Sequence, residues 1–170
     1  MNGGFEKLWA PWRMRYIEGM GAEGSGGCIL CEKPGENDDE RNFIIHRGKT
    51  CYIILNVFPY NNGHLMVVPY IHTSRFQELD ANTRLEMFDL TGMALEAITR
   101  TMRPDGFNIG MNIGRSAGAG IAEHLHLHAV PRWNGDTNFM PVVGGTKVIS
   151  EALEDTYRKI RGAVKSLIGE

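Results

Sequence analysis

The 170-residue sequence predicts an α+β fold: a mostly antiparallel five-stranded sheet covered by a long helix and a C-terminal helix. Two observations carry this. Strand-like stretches at 43–45, 51–57 and 64–70 follow one another closely, and the last two are joined by Phe58-Pro59-Tyr60-Asn61-Asn62-Gly63, whose turn residues suggest an antiparallel hairpin. The order then changes to helix, strand, strand, helix, with strands at 107–113 and 123–132.

Taken in order, residues 5–17 mix Leu8, Trp9, Trp12, Met14, Tyr16 and Ile17 with Arg13 and Arg15, too apolar for a free tail, and are expected to pack on the domain or on a second subunit. Residues 19–27 are Gly-rich and read as a flexible connector. The chain therefore divides into an N-terminal packing segment with its connector, 1–27, and a single domain, 28–170. Cys28-Ile29-Leu30-Cys31 opens that domain and reads as half of a zinc site, a redox pair or coincidence. A redox pair calls for a neighbouring βαβ pattern, whereas a polar loop from Pro34 to Glu40 follows, so zinc is favoured. Cys51, at a strand start, reads as a small buried residue, and His46, beside a turn, as exposed.

Asp80 is placed to cap a helix reaching about Met102, with Leu85, Phe88, Leu95 and Ile98 at helical spacing and Pro104 stopping it. The loop Gly114 to Gly120 allows backbone N–H groups to approach an anion, because glycine has no Cβ in the way. A final amphipathic helix, from about Ser150 to Ile168, carries Leu153, Tyr157, Ile160, Val164 and Leu167 on one face.

Bulk properties narrow the function. With 18 basic and 20 acidic residues the net charge is −2, which leaves no electrostatic footprint for polymeric nucleic acid or an anionic membrane. No apolar run suits a signal peptide or a bilayer span, and three cysteines argue against a disulfide framework, so a cytoplasmic protein is expected.

The most informative stretch is Glu123-His124-Leu125-His126-Leu127-His128-Ala129-Val130-Pro131-Arg132. On a strand, successive side chains point to opposite faces, so the three imidazoles emerge on one side and the leucines on the other. One reading is a metal site. The other is nucleophilic catalysis, one imidazole attacking an electrophile while its neighbours set its tautomer and protonate the leaving group. Spacing alone does not separate them.

The flanks add a resemblance. The three alternating histidines followed by Pro131 and Arg132, with Gly63-His64-Leu65-Met66-Val67-Val68-Pro69, Asn56 and the Gly-rich run 112–120, resemble the signature of the histidine triad (HIT) nucleotide hydrolases and transferases. Leu8-Trp9-Ala10-Pro11-Trp12-Arg13 and Asp136-Thr137-Asn138-Phe139 with 144–149 look like the bacterial branch that contains diadenosine tetraphosphate hydrolases and phosphorylases. The resemblance implies a HIT-like fold in a homodimer that takes adenine nucleotides or dinucleoside polyphosphates. It implies that His126 attacks an α-phosphate to give a nucleotidyl-histidine, with His128 donating to the leaving group and His64 completing the imidazole chain. Asn56 matches a ribose-binding position, Leu55 and Val57 would flank the base, and Asn112, Gly118 and Gly120 would lie near the phosphates along with His126 and His128. A structural zinc on Cys28, Cys31, His72 and His124 is also implied. Bond cleavage in that superfamily requires no catalytic metal, though a divalent ion carried by the polyphosphate is compatible with it.

One departure concerns the acceptor. Relatives place Ser, Thr or Gln shortly before the triad, where this chain has Ala119-Gly120-Ile121-Ala122. Fewer side-chain donors for a second anion favour hydrolysis over phosphorolysis, with a phosphorylase as the alternative. Two other classes stand beside these: a zinc-stabilised nucleotide-binding regulator with little turnover, and a metalloenzyme whose three histidines hold a catalytic ion. His128 also separates this chain from the uridylyltransferases of the superfamily, which have glutamine there.

Overall fold

A computed structural model describes residues 27–144 and 148–170, with backbone alone at Pro141 and Val142. The expected N-terminal packing segment and connector lie outside the described residues, apart from Gly27, as do Gly145, Thr146 and Lys147. The described residues fall into a main unit, Gly27–Asp136 with Ile149–Glu170, and a small one comprising Thr137–Gly144 and Val148.

The main unit carries α1 (Ile29–Gly35), β1 (Ile44–Arg47), β2 (Cys51–Leu55), β3 (Leu65–Pro69), α2 (Ala81–Met102), β4 (Gly106–Gly110) and β5 (Leu127–Arg132). In the small unit, α3 (Met140–Val143) is a single turn that begins where Asn138 Oδ1 accepts the Met140 N–H at 2.9 Å. The C-terminal α4 (Leu153–Ile168) belongs again to the main unit. The sheet has the order β1-β2-β3-β5-β4 with every pair antiparallel, so the last strand in sequence is inserted between β3 and β4. The predicted α+β architecture with five strands, a long helix and a C-terminal helix is therefore present.

Alternation assigns the two faces of the sheet. Ile53, Leu55, Leu65, Val67, Leu125 and Leu127 form one core with Met87, Leu90, Ala94, Ala97 and Ile98 of α2 and Tyr157, Ile160 and Val164 of α4. Tyr52, Ile54, Met66 and Val68 point the other way and pack with Ile44 and with Leu30 of α1. Each large aliphatic side chain so buried contributes about 1.5–3 kcal/mol.

The expected end points of α2 hold: Asp80 caps it by accepting the Thr83 N–H at 2.7 Å, and Arg103 ends it in the left-handed region. Its buried stripe differs from expectation. Thr83, Met87, Leu90, Thr91, Ala94, Ala97 and Ile98 face the core, whereas Leu85 and Phe88 are 63% and 58% exposed. Small Ala94 and Ala97 let the helix lie close to the sheet, and that proximity outweighs the bulk of the alternative stripe. Glu86, unremarked in the sequence, ties α2 to the β1–β2 turn: its carboxylate accepts the N–H groups of Lys49 (2.7 Å), Thr50 (2.5 Å) and Cys51 (3.1 Å) and the Thr50 hydroxyl. Gly48 permits this, since a Cβ there would lie 2.6 Å from a Glu86 oxygen.

Smaller differences have local causes. His46 is half-buried within β1. Cys28 sits at the N-cap position of the short helix α1, which carries the C-x-x-C and runs into the start of the expected polar loop at Pro34-Gly35. Cys51 is fully buried as expected, and burial pushes its thiol up to about 11. The final helix begins at Leu153, a turn after Ser150, whose N–H is held by Asn62 Oδ1 at 3.1 Å.

Candidate active site

The triad segment is only partly a strand. The ladder begins at Leu127, so His128 lies in β5 opposite Met66, while His124 and His126 precede it. Alternation nonetheless persists, because Leu125 is anchored by its N–H to the Thr73 carbonyl at 2.7 Å and its side chain is in the core beneath α2. The three imidazoles are consequently buried on the other side, at 1%, 5% and 8% exposure in order.

His126 Nδ1 is 2.8 Å from the carbonyl oxygen of His124. A carbonyl only accepts, so Nδ1 carries the proton and Nε2 keeps its lone pair. Burial pushes the pKa of His126 below its usual value, while the bond to His124 opposes that shift, so the ring is neutral and nucleophilic at neutral pH.

His64, at the end of the β2–β3 loop, has its Nδ1 3.0 Å from the Tyr60 backbone N–H, which donates to it, and 3.3 Å from Asn56 Nδ2. Its proton therefore sits on Nε2, which donates to His128 Nδ1 at 2.9 Å. His128 is left with its proton on Nε2. Burial, then the neighbouring His128 and His126, push His64 down to about 3, so it is uncharged. The rings of His126 and His128 meet edge-on with centroids 4.8 Å apart, and the Tyr60 ring lies over His64 at 4.5 Å. One side of the sheet thus presents a bare nitrogen beside a protonated one.

The predicted nucleotide contacts are only partly brought together. Asn56 and Val57 are half-buried at the loop's start, and Asn56 Oδ1 accepts the Phe58 N–H at 2.9 Å, so its side chain shapes the turn. Leu55 corrects an expectation: it is 1% exposed and belongs to the core beneath α2, facing away from the triad, because strand alternation puts Ile54 on the histidine side. Asn112 is half-buried after β4. The loop 114–120 folds into a tight turn in which the Gly118 N–H is taken by the Arg115 carbonyl at 2.9 Å, with Gly114 and Gly118 both at positive φ. Gly118 thus contributes its conformation and not its N–H, while Gly120 is exposed.

His124 joins a different group. Its Nδ1 is 3.3 Å from Cys28 Sγ, 3.4 Å from Cys31 Sγ and 3.3 Å from His72 Nδ1, and Cys31 Sγ is 3.4 Å from His72 Nδ1. All four ligand atoms lie within 4.8 Å of one another. Tetrahedral zinc, with bonds of 2.0–2.3 Å, requires ligand separations of about 3.3–3.8 Å. His124 Nε2 donates to the Pro69 carbonyl at 2.8 Å, which leaves Nδ1 bare for a metal. The Cys31 thiol is pushed up to about 11 by burial first and then by Cys28 and Glu32, so this sulfur forms a thiolate only against a cation. The donor set fits zinc.

Asn61 and Asp136 belong to the site's surroundings and were not singled out as site residues by sequence. Asn61 Nδ2 donates to the Pro131 carbonyl (3.1 Å) and to Asp136 Oδ2 (2.8 Å). A buried asparagine in a turn was the available signal.

A family model described as HIT domain matches residues 37–135. A protein named AP-4-A phosphorylase from Mycobacterium tuberculosis (strain ATCC 25618 / H37Rv) is 43% identical over 159 residues, covering 90% of this chain and 81% of that protein. Among solved structures, a Zn-bound histidine triad family protein from Mycobacterium smegmatis superposes with a TM-score of 0.69 at 27% identity, covering 86% of this chain and 99% of that one. A hypothetical histidine triad nucleotide-binding protein from Sulfolobus tokodaii strain7 gives 0.67 at 27% identity, covering 82% and 93%.

Proposed function

We propose, from the premise that this chain belongs to the HIT domain family, that it cleaves dinucleoside polyphosphates of the diadenosine tetraphosphate type through a nucleotidyl-histidine on His126. The observation that carries this is the 2.8 Å bond from His126 Nδ1 to the His124 carbonyl, which frees Nε2 as nucleophile. His126 Nε2 attacks the α-phosphorus, a P–N bond forms, and the P–O bond to the remaining polyphosphate breaks. His128 Nε2–H donates a hydrogen bond to the departing oxygen, which leaves as the polyphosphate anion, while His64 holds His128 in the tautomer that has that hydrogen to offer. The ring charge that grows on His126 is met by the His124 carbonyl. An acceptor oxygen then attacks phosphorus and the P–N bond breaks, returning its electron pair to His126 Nε2 and releasing the nucleotide; where water is the acceptor, its displaced proton passes to solvent.

Zinc on Cys28, Cys31, His72 and His124 would be structural, tying α1 and the segment after β3 to the triad and orienting the carbonyl that fixes the nucleophile. With the metal bound there, His126 and His128 remain unligated, which disfavours three histidines around a catalytic ion. A homodimer is supported by exposed Leu85 and Phe88 on α2 and by the edge position of β4 among the described residues, with Ile109 exposed there. A cytoplasmic site is supported by the free thiols, and no helix among the described residues is long and apolar enough to cross a membrane.

For the acceptor, the residues before the triad favour water, whereas 43% identity to a protein named AP-4-A phosphorylase favours the alternative, inorganic phosphate. The experiment is to incubate the protein with diadenosine tetraphosphate, with and without phosphate, and identify the products. ATP with ADP, dependent on phosphate, establishes phosphorolysis, and ATP with AMP without phosphate establishes hydrolysis. Tight binding without cleavage would replace both with the regulatory reading.

A further inference from the structure

We propose that Asn61, held by Asp136, is a positioning residue that fixes the tautomer of His64 and through it the proton-bearing nitrogen of His128; the inference rests on the catalytic reading above and deepens it. The loop between β2 and β3 carries the groups that meet His64 Nδ1, the Tyr60 N–H and the Asn56 amide. Its internal turn is closed by the His64 N–H to the Asn61 carbonyl at 3.2 Å and by the Asn56 N–H to the His64 carbonyl at 2.9 Å, with Gly63 at φ +72°. These bonds shape the loop but do not fix it against β5, where His128 lies.

Asn61 supplies that attachment. Its side-chain amide has two hydrogens: one goes to the Pro131 carbonyl at the far end of β5 at 3.1 Å, the other to Asp136 Oδ2, four residues past that strand, at 2.8 Å. Asp136 is itself held in a fork by Arg132 Nε (2.6 Å) and Nη2 (3.0 Å) and accepts the Trp133 N–H at 3.2 Å. Asn61 and the Asp136 side chain are 8% and 7% exposed, so water is poorly placed to replace this bond. The amide of Tyr60, one residue away, is thereby registered on a ring that must reach His128.

Released, the loop would carry the Tyr60 N–H away from His64 Nδ1. His64 could then hold its proton on Nδ1, turning Nε2 into an acceptor, and His128 would answer by placing its own proton on Nδ1. No proton is gained or lost, yet His128 Nε2 would have none to give to a leaving group. Neither Asn61 nor Asp136 touches reacting atoms in this scheme.

The test uses the full chain with zinc bound and ¹⁵N-labelled histidine, reading tautomers by NMR and kcat and KM with diadenosine tetraphosphate. In the unmodified protein His64 should show its proton on Nε2; a proton on Nδ1 overturns the proposal before any variant is made. Asn61→Ala should populate the other His64 tautomer and lower kcat about ten- to a hundredfold, a partial loss of one transition-state hydrogen-bond donor, with KM changed less than about threefold. Asn61→Asp, of equal size but without the donor hydrogens, should do the same and serves if the alanine variant does not fold. A folded Asn61 variant with unchanged His64 signals overturns the proposal. If the unmodified protein does not turn over substrate, the catalytic reading fails, while the tautomer response to Asn61→Ala still decides this one.

Discussion

His124 and His128 lie on one short stretch of chain, both buried, both on the side of the sheet away from α2, yet they enter different chemistry. The His128 ring is met by another imidazole that has a proton to donate, so its nitrogens become one acceptor and one donor. The His124 ring is met at Nδ1 by two sulfurs and a second imidazole, a crowd of donor atoms that calls for a cation, and at Nε2 by a carbonyl that fixes its tautomer. Identical residues at alternate positions thus receive their roles from the partner on the facing element. His126, between them, borrows from the metal side, since its proton is held by the backbone of His124.

The largest effect should come from removing the nucleophile. His126→Ala should lose more than a hundredfold in turnover, beyond a general acid or base contribution of about 10²-fold, while nucleotide binding measured by calorimetry survives. Retention of a hundredth or more would move the nucleophile elsewhere and erase the contrast between the two groups.

Next in size is the metal. Elemental analysis should find one zinc per chain and almost none in Cys28→Ser, with a thermal transition lowered by roughly several kcal/mol of lost binding free energy. Near-zero zinc in both would reduce the cluster to two thiols beside two imidazoles.

The third expected effect is a pH dependence from the catalytic row. His64 has a folded pKa of about 3 against an ordinary 6.5. Between these values the unfolded chain binds the extra proton, so stability is full above about 6.5 and falls as the pH drops, by about 1.4 kcal/mol per pH unit for one proton. Urea unfolding across that window should show this acid slope, and His64→Gln should flatten it. An unchanged slope would mean that His64 is not the buried neutral ring.

The smallest effect sharpens the contrast. His72→Cys changes the ligand type but keeps a closed zinc set, so zinc should remain and kcat should stay within about twofold. A large loss of kcat with zinc retained would show that His72 serves the chemistry as well as the metal.

The sequence carried much of this because period-two alternation survives even where the ladder does not: Leu125 and Leu127 reach the core although only Leu127 is in β5. It failed where two patterns compete on one helix. Leu85 and Phe88 form an apolar stripe as regular as Met87, Leu90 and Ala94, and only the close approach of small residues to the sheet selects between them. Leu55 was set beside the base by the resemblance alone, and the run Ile53-Ile54-Leu55, apolar on both faces, offers no independent sign of which side each residue takes. The pairing of Asn61 with Asp136 depends on a contact across 75 residues, for which local pattern holds no signal.

The insertion of β5 between β3 and β4 has a consequence for biosynthesis. Strands β1 to β3 can pair as they are made, but β4 emerges with its partner still unsynthesised, and the sheet has a missing slat until residues 127–132 arrive. The ribosome delivers the chain from its N-terminus at about 5–20 residues per second, so the proposed nucleophile, His126, arrives immediately ahead of the strand that closes the sheet. A nascent chain stopped before residue 124 therefore holds no part of the triad, and one stopped before 128 lacks the imidazole that pairs with His64, so the row of histidines is completed only as the sheet becomes ready to close.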